Sequence, residues 1–295
     1  QPNSYGWNNT DVTVTFTATY SLSGVASVTE PTTITTEGAN QHIGGDAVDA
    51  ADNQAPTYVI LNIDKTQPEI SITSPEENKE YFHTEPIPLT YTLTDTLSQI
   101  ASSSVTLDGT SIPSSANIQT TVGGHALLIT ATDKAGNQAV SERNFTVKLK
   151  SKVTIKPEVF LCNRGVFIAV VRFPQGYDAK TITDATCDGA PAKKIVLLHH
   201  NMSLLLFRRE DITQTPIDTT FTVRGHFNNG LLFEGSDTIR KVMHKDWGHR
   251  RKQDIEDEGR ELDKATDEAT DEAWRHHGTH KDSEWLKRHI RELNR

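Results

Sequence analysis

Two acid–amide pairs share one spacing in this chain: Asp49 with Asn53 and Asp133 with Asn137, each four residues apart. Carboxylates gathered in loops are the donor set of a calcium site, and Asp49, Asp52 and Asp133 are the residues that could supply one at the domain tips. Calcium takes six or more oxygens, and no Asp-x-Asp-x-Asp run provides them. The same residues also make a hairpin corner. Gly136-Asn137 tolerates positive φ, and Asp133 can accept hydrogen bonds from the backbone N–H groups ahead of it. Because the pair recurs with the turn, the corner is the primary expectation and calcium the secondary one.

Other side chains invite the same comparison. In His-His-Gly-Thr-His, His276 and His280 share a face at i,i+4 on a continuous helix, a spacing that suits zinc or another transition metal. Gly278 weakens that helix, and no Glu follows His276 as a metalloprotease pattern requires, so solvated histidines are favoured. Glu76, Glu77 and Glu80 could supply a carboxylate pair for glycoside hydrolysis, yet they sit in a loop with no aromatic cleft nearby in sequence. His199-His200 flank a hairpin end. Gly-x-Ser-x-Gly, a phosphate loop and Cys-x-x-Cys are absent. No catalysis and no cofactor are expected.

Composition narrows the partners. Of the 295 residues, 30 are Lys or Arg and 39 Asp or Glu, a net charge of −9. Residues 1–150 carry 6 basic against 16 acidic side chains, or −10; residues 151–240 carry 11 against 9, or +2; residues 241–295 carry 13 against 14, or −1. An acidic N-terminal half excludes nucleic acid as its partner, since phosphate binding needs a basic patch. The most apolar stretch, IVLLHHNMSLLLF, is broken by His199, His200 and Asn201, so no membrane span is expected. The chain opens on Gln1 in polar sequence without a signal peptide, which reads as a mature or trimmed product. Cys162 and Cys187 are the two cysteines; a bridge between them would stabilise by roughly 3–4 kcal/mol. With sequons at Asn8, Asn144 and Asn201, they point to an extracellular or cell-surface location.

The elements that must position these residues are strands. Val12, Val14, Phe16 and Ala18 alternate with threonines, the pattern of a half-buried antiparallel strand. VDAADNQAPTYVILNIDK (Val48–Lys65) lines up with TDKAGNQAVSERNFTVKL (Thr132–Leu149) 84 residues on, and YSLSGVASV (Tyr20–Val28) with DTLSQIASS (Asp95–Ser103) 75 residues on. The difference of nine falls in a longer middle of the second copy, around Leu107–Gly124. Two copies of one sandwich unit follow.

GWNNTDVTVTFTATYSLSGVASV, NIDKTQPEISI and ATDKAGNQAV together resemble the tandem bacterial and archaeal immunoglobulin-like repeats of cell-surface and secreted proteins, over residues 1–149. In that family the position of Tyr20 is usually Asp, as at Asp95, and Gly often stands at the position of Asp52. The first copy departs at both. The resemblance implies immunoglobulin-like sandwiches at residues 1–66 and 67–149, with Pro68 marking the hinge between them.

Residues 150–242 turn to long aliphatic strands, with hairpin signals at Asn229-Gly230, Asp188-Gly189 and near Asn201, and read as a third sandwich. VTIKPEVF, GVFIAVVRFPQGYDA and CDGAPA resemble a β-sandwich module of secreted microbial proteins. Residues 243–295 form a charged, His-rich helical tail in which Ile255, Leu262, Ala265, Ala269 and Ala273 make a thin apolar seam. Too little apolar surface for an isolated helix implies that the tail docks on the third sandwich, pairs with itself or is completed by another chain. The expectation is therefore a mainly β chain of three tandem immunoglobulin-like sandwiches with a charged C-terminal helical segment. Functionally it reads as a non-enzymatic extracellular spacer or subunit of a filament, sheath or surface layer, with the tail making subunit contacts. Self-association or another surface protein is the expected partner. The alternative is an adhesin or carbohydrate-binding module with a glycan partner.

Overall fold

A computed structural model describes residues 1–114, 117–157, 159–160, 165–212, 218–241, 259–265 and 267–268. The protein is mainly β and divides into two compact units. The first comprises residues 1–79, 86–119 and 124–145; the second comprises 80–85, 120–123 and 146–295.

Both copies of the repeat contribute to the first unit. The first copy holds β1 (Val12–Val14), β2 (Val25–Val28), β3 (Thr32–Ile34), β4 (Gly38–Asp49) and β5 (Gln54–Ile63). In chain order the second copy follows with β6 (Glu69–Ser74), β7 (Glu80–Phe82), β8 (Ile87–Pro88), β9 (Thr90–Thr94), β10 (Ile100–Leu107), β11 (Thr110–Ser111), β12 (Asn117–Ile118), β13 (Gly123–Asp133) and β14 (Gln138–Lys150). The repeat seen in sequence is a repeat of register. Val25 pairs with Asp49 and Ser27 with Val48 across an irregularity; Ile100 pairs with Asp133 and Ser102 with Thr132 across the same irregularity. Likewise β1 pairs with β3 as β8 pairs with β12. The longer middle of the second copy is a hairpin: Asp108 and Gly109, both at positive φ, turn β10 into β11.

The two cores differ in size. Val14, Leu61 and Ile63 are the buried apolar residues of the first copy, with Phe16, Ile34, Ile43 and Val59 only partly covered. The second copy buries Ile72, Ile87, Val105, Leu107, Ile118, Leu127, Ile129, Ala131 and Phe145. Since each fully buried large aliphatic contributes roughly 1.5–3 kcal/mol, the second copy holds most of the stability of this unit.

In the second unit, β15 (Lys152–Lys156), β16 (Val159–Phe160), β17 (Val166–Arg172), β18 (Ile182–Cys187), β19 (Ala190–Pro191), β20 (Lys194–His199), β21 (Met202–Arg208), β22 (Asp218–Phe227) and β23 (Leu232–Lys241) follow in order. One sheet runs β15-β17-β21-β20; the other runs from the end of β14 through β23, β22 and β18 to β19. The expected turns are present. Asp188-Gly189, at positive φ, joins β18 to β19, and Gly230 turns β22 into β23.

Strands β17 and β21 are buried almost throughout, which explains their unbroken apolar sequence. Phe167, Ala169, Val171, Leu205 and Phe207 meet Phe221, Val223, Phe233 and Ile239 of the other sheet. Alternate residues Val166, Ile168, Leu204 and Leu206 face away and pack with Leu262 and Ala265 of a helical stretch over 259–265. Of the tail seam, then, these two residues dock on the sheet of their own chain, one of the three outcomes expected for it. Ile255, Ala269 and Ala273 lie outside the described residues. No helix among the described residues is long and apolar enough to cross a membrane.

Candidate functional site

The Asp133 corner forms because a short acidic side chain can fold back onto the amides that follow it. Asp133 Oδ1 accepts from Gly136 N at 2.7 Å and Asn137 N at 2.8 Å, and Oδ2 accepts from Asn137 Nδ2 at 2.8 Å. Asp49 repeats the arrangement: Oδ1 accepts from Ala51 N and Asn53 N, and Oδ2 from Asn53 Nδ2 and Ser23 Oγ. The Asn53 side chain and backbone N–H, with Ser23 and Ala51, outweigh burial and hold the Asp49 carboxyl at about 2. Asp52 has φ +64 where the second copy has Gly136 at +99. It is exposed and joins no metal-competent group among the described residues.

Asp133 keeps different company. Its carboxylate, with those of Asp64 and Asp95, forms a group whose potential ligand atoms lie within 4.8 Å of one another. Asp64 is fully buried and Asp133 nearly so. Each belongs to a different element: Asp64 ends the first copy just after β5, Asp95 follows β9, and Asp133 closes β13. The cluster therefore sits where one repeat passes into the next. Asp64 Oδ1 accepts from Thr66 N and Oδ2 from Ser98 N at 3.0 Å. Asp95 Oδ1 accepts from Leu97 N and Gln99 N. Asn137 Nδ2 donates to Asp64 O at 2.9 Å, and Asn3 Nδ2 donates to Lys134 O at 2.7 Å. Pro68, taken in sequence for a hinge, is buried at the end of this stapled corner.

Chemically, the cluster can do two things. It staples the linker of one repeat to the turns of the next, and its three carboxylates could hold a divalent cation, supplying three of the six or more oxygens calcium takes. Of the three acids singled out in sequence for calcium, Asp133 alone is in the group; the structure does not bring Asp49 or Asp52 to it. Asp64 and Asp95 escaped notice because neither lies in the recurring acid–amide corner. Their counterparts are Lys148 and Tyr20.

The remaining candidates have structural surroundings. Glu76 pairs with Lys79, and Glu77 lies 3.5 Å from Arg143 and accepts from Asn144 N. In the second unit Glu80 and Glu234 flank the buried ammonium of Lys148 at 3.2 and 2.8 Å, with Arg224 beside both. His199 and His200 border an open hollow with Tyr177, Asp178 and Asn201; His199 Nδ1 lies 3.1 Å from Asn201 Oδ1 and His200 lies 4.0 Å from Asp178. Cys187 is a buried thiol, pushed up by burial and by the neighbouring Asp188. Its expected partner Cys162 lies outside the described residues, as do His276 and His280. Among the sequons, Asn144 is exposed, Asn201 Nδ2 donates to Phe173 O, and Asn8 is buried with Nδ2 donated to Asn62 O.

No family model and no curated protein matches this chain. Solved structures that overlap it include SGBP-B of the Bacteroides ovatus mixed-linkage glucan utilization locus, in complex with a heptasaccharide, at 12% identity over 61% of this chain and 48% of that one, with a TM-score of 0.26. The fibronectin(III)-like modules of Clostridium thermocellum CbhA overlap at 15% identity over 61% of this chain and 100% of theirs, with a TM-score of 0.27. A bacterial ice-binding adhesin of 1.5 MDa overlaps at 15% identity over 68% and 74%, with a TM-score of 0.23. This chain thus spans about half the length of the first. At these scores the likeness supports nothing about this chain beyond what its own strands show.

Proposed function

We propose that this chain is a non-catalytic, extracellular structural segment built of three immunoglobulin-like sandwiches, at residues 1–66, 67–149 and 150–242. In this reading the first two serve as a spacer of fixed geometry. The observation that carries it is the stapled junction, in which Asp64 bonds to Ser98 N while its own carbonyl takes the Asn137 amide. A linker whose polar groups are bonded to the next repeat has lost the freedom of a flexible tether, which is what a spacer requires. Leu262 and Ala265 serve their own sheet, so residues 259–265 are assigned to completing the third sandwich rather than to joining subunits.

Electron–electron distance measurement between spin labels at exposed Thr33 and Glu142, with Cys162 replaced by Ser, tests the spacer. One narrow distance distribution is expected, broadened by Asp64→Ala. A broad distribution in the unaltered junction refutes it.

A second reading, glycan binding, has one specific observation behind it. The rings of His42 and Tyr58 lie 5.1 Å apart on β4 and β5, with Tyr58 63% exposed and Ile60 beside it at 47%. Such a surface can stack on a sugar ring. Saturable binding on a glycan array, lost in Tyr58→Ala, would favour it; no saturable ligand leaves the spacer reading in place.

A further inference from the structure

A hollow of about 570 Å³ opens in the second unit, between the loop that leaves β17 and the tip of the β20–β21 hairpin. Gln175, Tyr177 and Asp178 line it from the loop; His199, His200 and Asn201 line it from the hairpin tip. Small-ligand sites occupy roughly 300–1,000 Å³, so the hollow is of that class in size.

Its two walls are fastened to each other. Phe173 N donates to Asn201 O at 2.8 Å and Ala179 N to His200 O at 2.5 Å, which ties the loop to the tip on both sides of Tyr177. Asn201 Nδ2 adds a bond to Phe173 O at 3.3 Å. Asp178 Oδ1 accepts from Lys180 N at 2.9 Å and caps the helical turn Ala179–Thr181. Tyr177 is half-buried, with its ring 6.0 Å from that of Phe227 in the core. The lining is therefore arranged before any ligand arrives.

The side chains select the ligand. Among the described residues no Lys or Arg lines the hollow, so it lacks the counter-charge that a phosphate or carboxylate ligand calls for. Two imidazoles and a carboxylate could suit a transition metal, but their ligand atoms are not gathered. The metal-competent group of the described residues is Asp64, Asp95 and Asp133, and His200 stands 4.0 Å from Asp178. What the lining does offer is an aromatic ring, the Gln175 amide, the Asp178 carboxylate and two imidazoles that each donate or accept. A ring can lie against an apolar C–H face, and the planar polar groups can bond a rim of hydroxyls. A neutral sugar presents both.

We propose that this hollow binds a neutral hexose unit of a glycan chain, its C–H face against Tyr177 and its hydroxyls bonded to Gln175, Asp178 and His200. The site shares no residue with the His42–Tyr58 surface, and it stands whether or not the first two sandwiches act as a spacer.

Isothermal titration calorimetry on the full chain at pH 7 tests it, with intact mass confirming that Asn201 carries no glycan. The probes are the unbranched tetrasaccharides of glucose, mannose and galactose, with tetragalacturonate as the charged comparison. Saturable binding with a Kd of about 1 mM or tighter is expected for at least one neutral tetrasaccharide, and none for tetragalacturonate. Gln175→Ala combined with His200→Ala alters two exposed side chains, and should weaken binding about tenfold without moving Tm. Tyr177→Phe keeps the ring and should bind as the unaltered chain does. No saturation with any neutral tetrasaccharide overturns the proposal, as does binding of tetragalacturonate alone. So does neutral binding that survives the double variant; its loss in Tyr58→Ala would then assign the glycan to the surface on β4 and β5.

Discussion

Replacing Asp64 in two different ways isolates one hydrogen bond at the repeat junction. Its carboxylate is fully buried and accepts from Thr66 N at 3.1 Å and from Ser98 N at 3.0 Å. Asp64→Ala removes both acceptors and leaves the N–H of nearly buried Ser98 without one, at about 1–3 kcal/mol, while the N–H of exposed Thr66 can turn to water. Asp64→Asn keeps one acceptor oxygen for Ser98 N. Both changes remove the same acid, so whatever Asp95 and Asp133 do to it cancels between them. Asp64→Ala should therefore be less stable than Asp64→Asn by about 1–3 kcal/mol, roughly 4 °C or more in Tm for a repeat of this size. Differential scanning calorimetry at pH 7 in EDTA reads it. The chelator matters, because a cation among the three side chains would add its own loss to both variants. Equal stability of the two variants would remove the Ser98 staple.

Three further outcomes are expected. Asp52→Gly relieves a left-handed backbone at φ +64 and should raise the stability of the first repeat by about 0.5–1 kcal/mol in denaturant melts. The converse change, Gly136→Ala, should cost about 1–2 kcal/mol at the equivalent corner. The Asp49 carboxyl, held at about 2 chiefly by Asn53, lies below its ordinary value, so its contribution is complete above pH ~4 and disappears as pH falls towards 2. Its carboxyl carbon shift should titrate near 2, and a midpoint near 4 would contradict the four-donor corner. Leu262→Asp should uncover Val166, Ile168, Leu204 and Leu206, so light scattering should report more self-association, not less; a drop in association would return the tail to the role of subunit contact.

Local chemistry is what the sequence disclosed best. Asp133 with Asn137, Asp188-Gly189 and Asn229-Gly230 each dictate a turn from a few adjacent residues, and each turn is present. The 75- and 84-residue offsets also reproduce true strand register, because alternation leaves a buried strand no freedom to slip. The acid cluster was hidden by the same comparison. Looking for acids around the repeated corner passes over Asp95, where the first copy has Tyr20, and Asp64, where the second has Lys148. A junction is not a repeated feature, and its residues answer to their neighbours in space. Tail docking was half legible: the seam flagged Leu262 and Ala265, but only the two-sided burial of β17 and β21 identifies what they cover.

Gly45 of β4, which lies under the Phe16 ring, bears on how such a chain avoids misfolding. Adjacent repeats with the same strand order can trade strands during folding, and near-identical neighbours are the most exposed to this error. Here β4 and β13 share register and turn, yet β13 carries Ile129 where β4 carries Gly45. Were β13 to take the place of β4 in the first copy, a branched side chain would be driven into the Phe16 ring, where even a Cβ comes within 2.4 Å. Were β4 to enter the second, it would leave a hole where Ile129 is fully buried. One position thus makes each strand a poor fit for its neighbour's place, so two copies of one design can lie side by side on a single chain without exchanging parts.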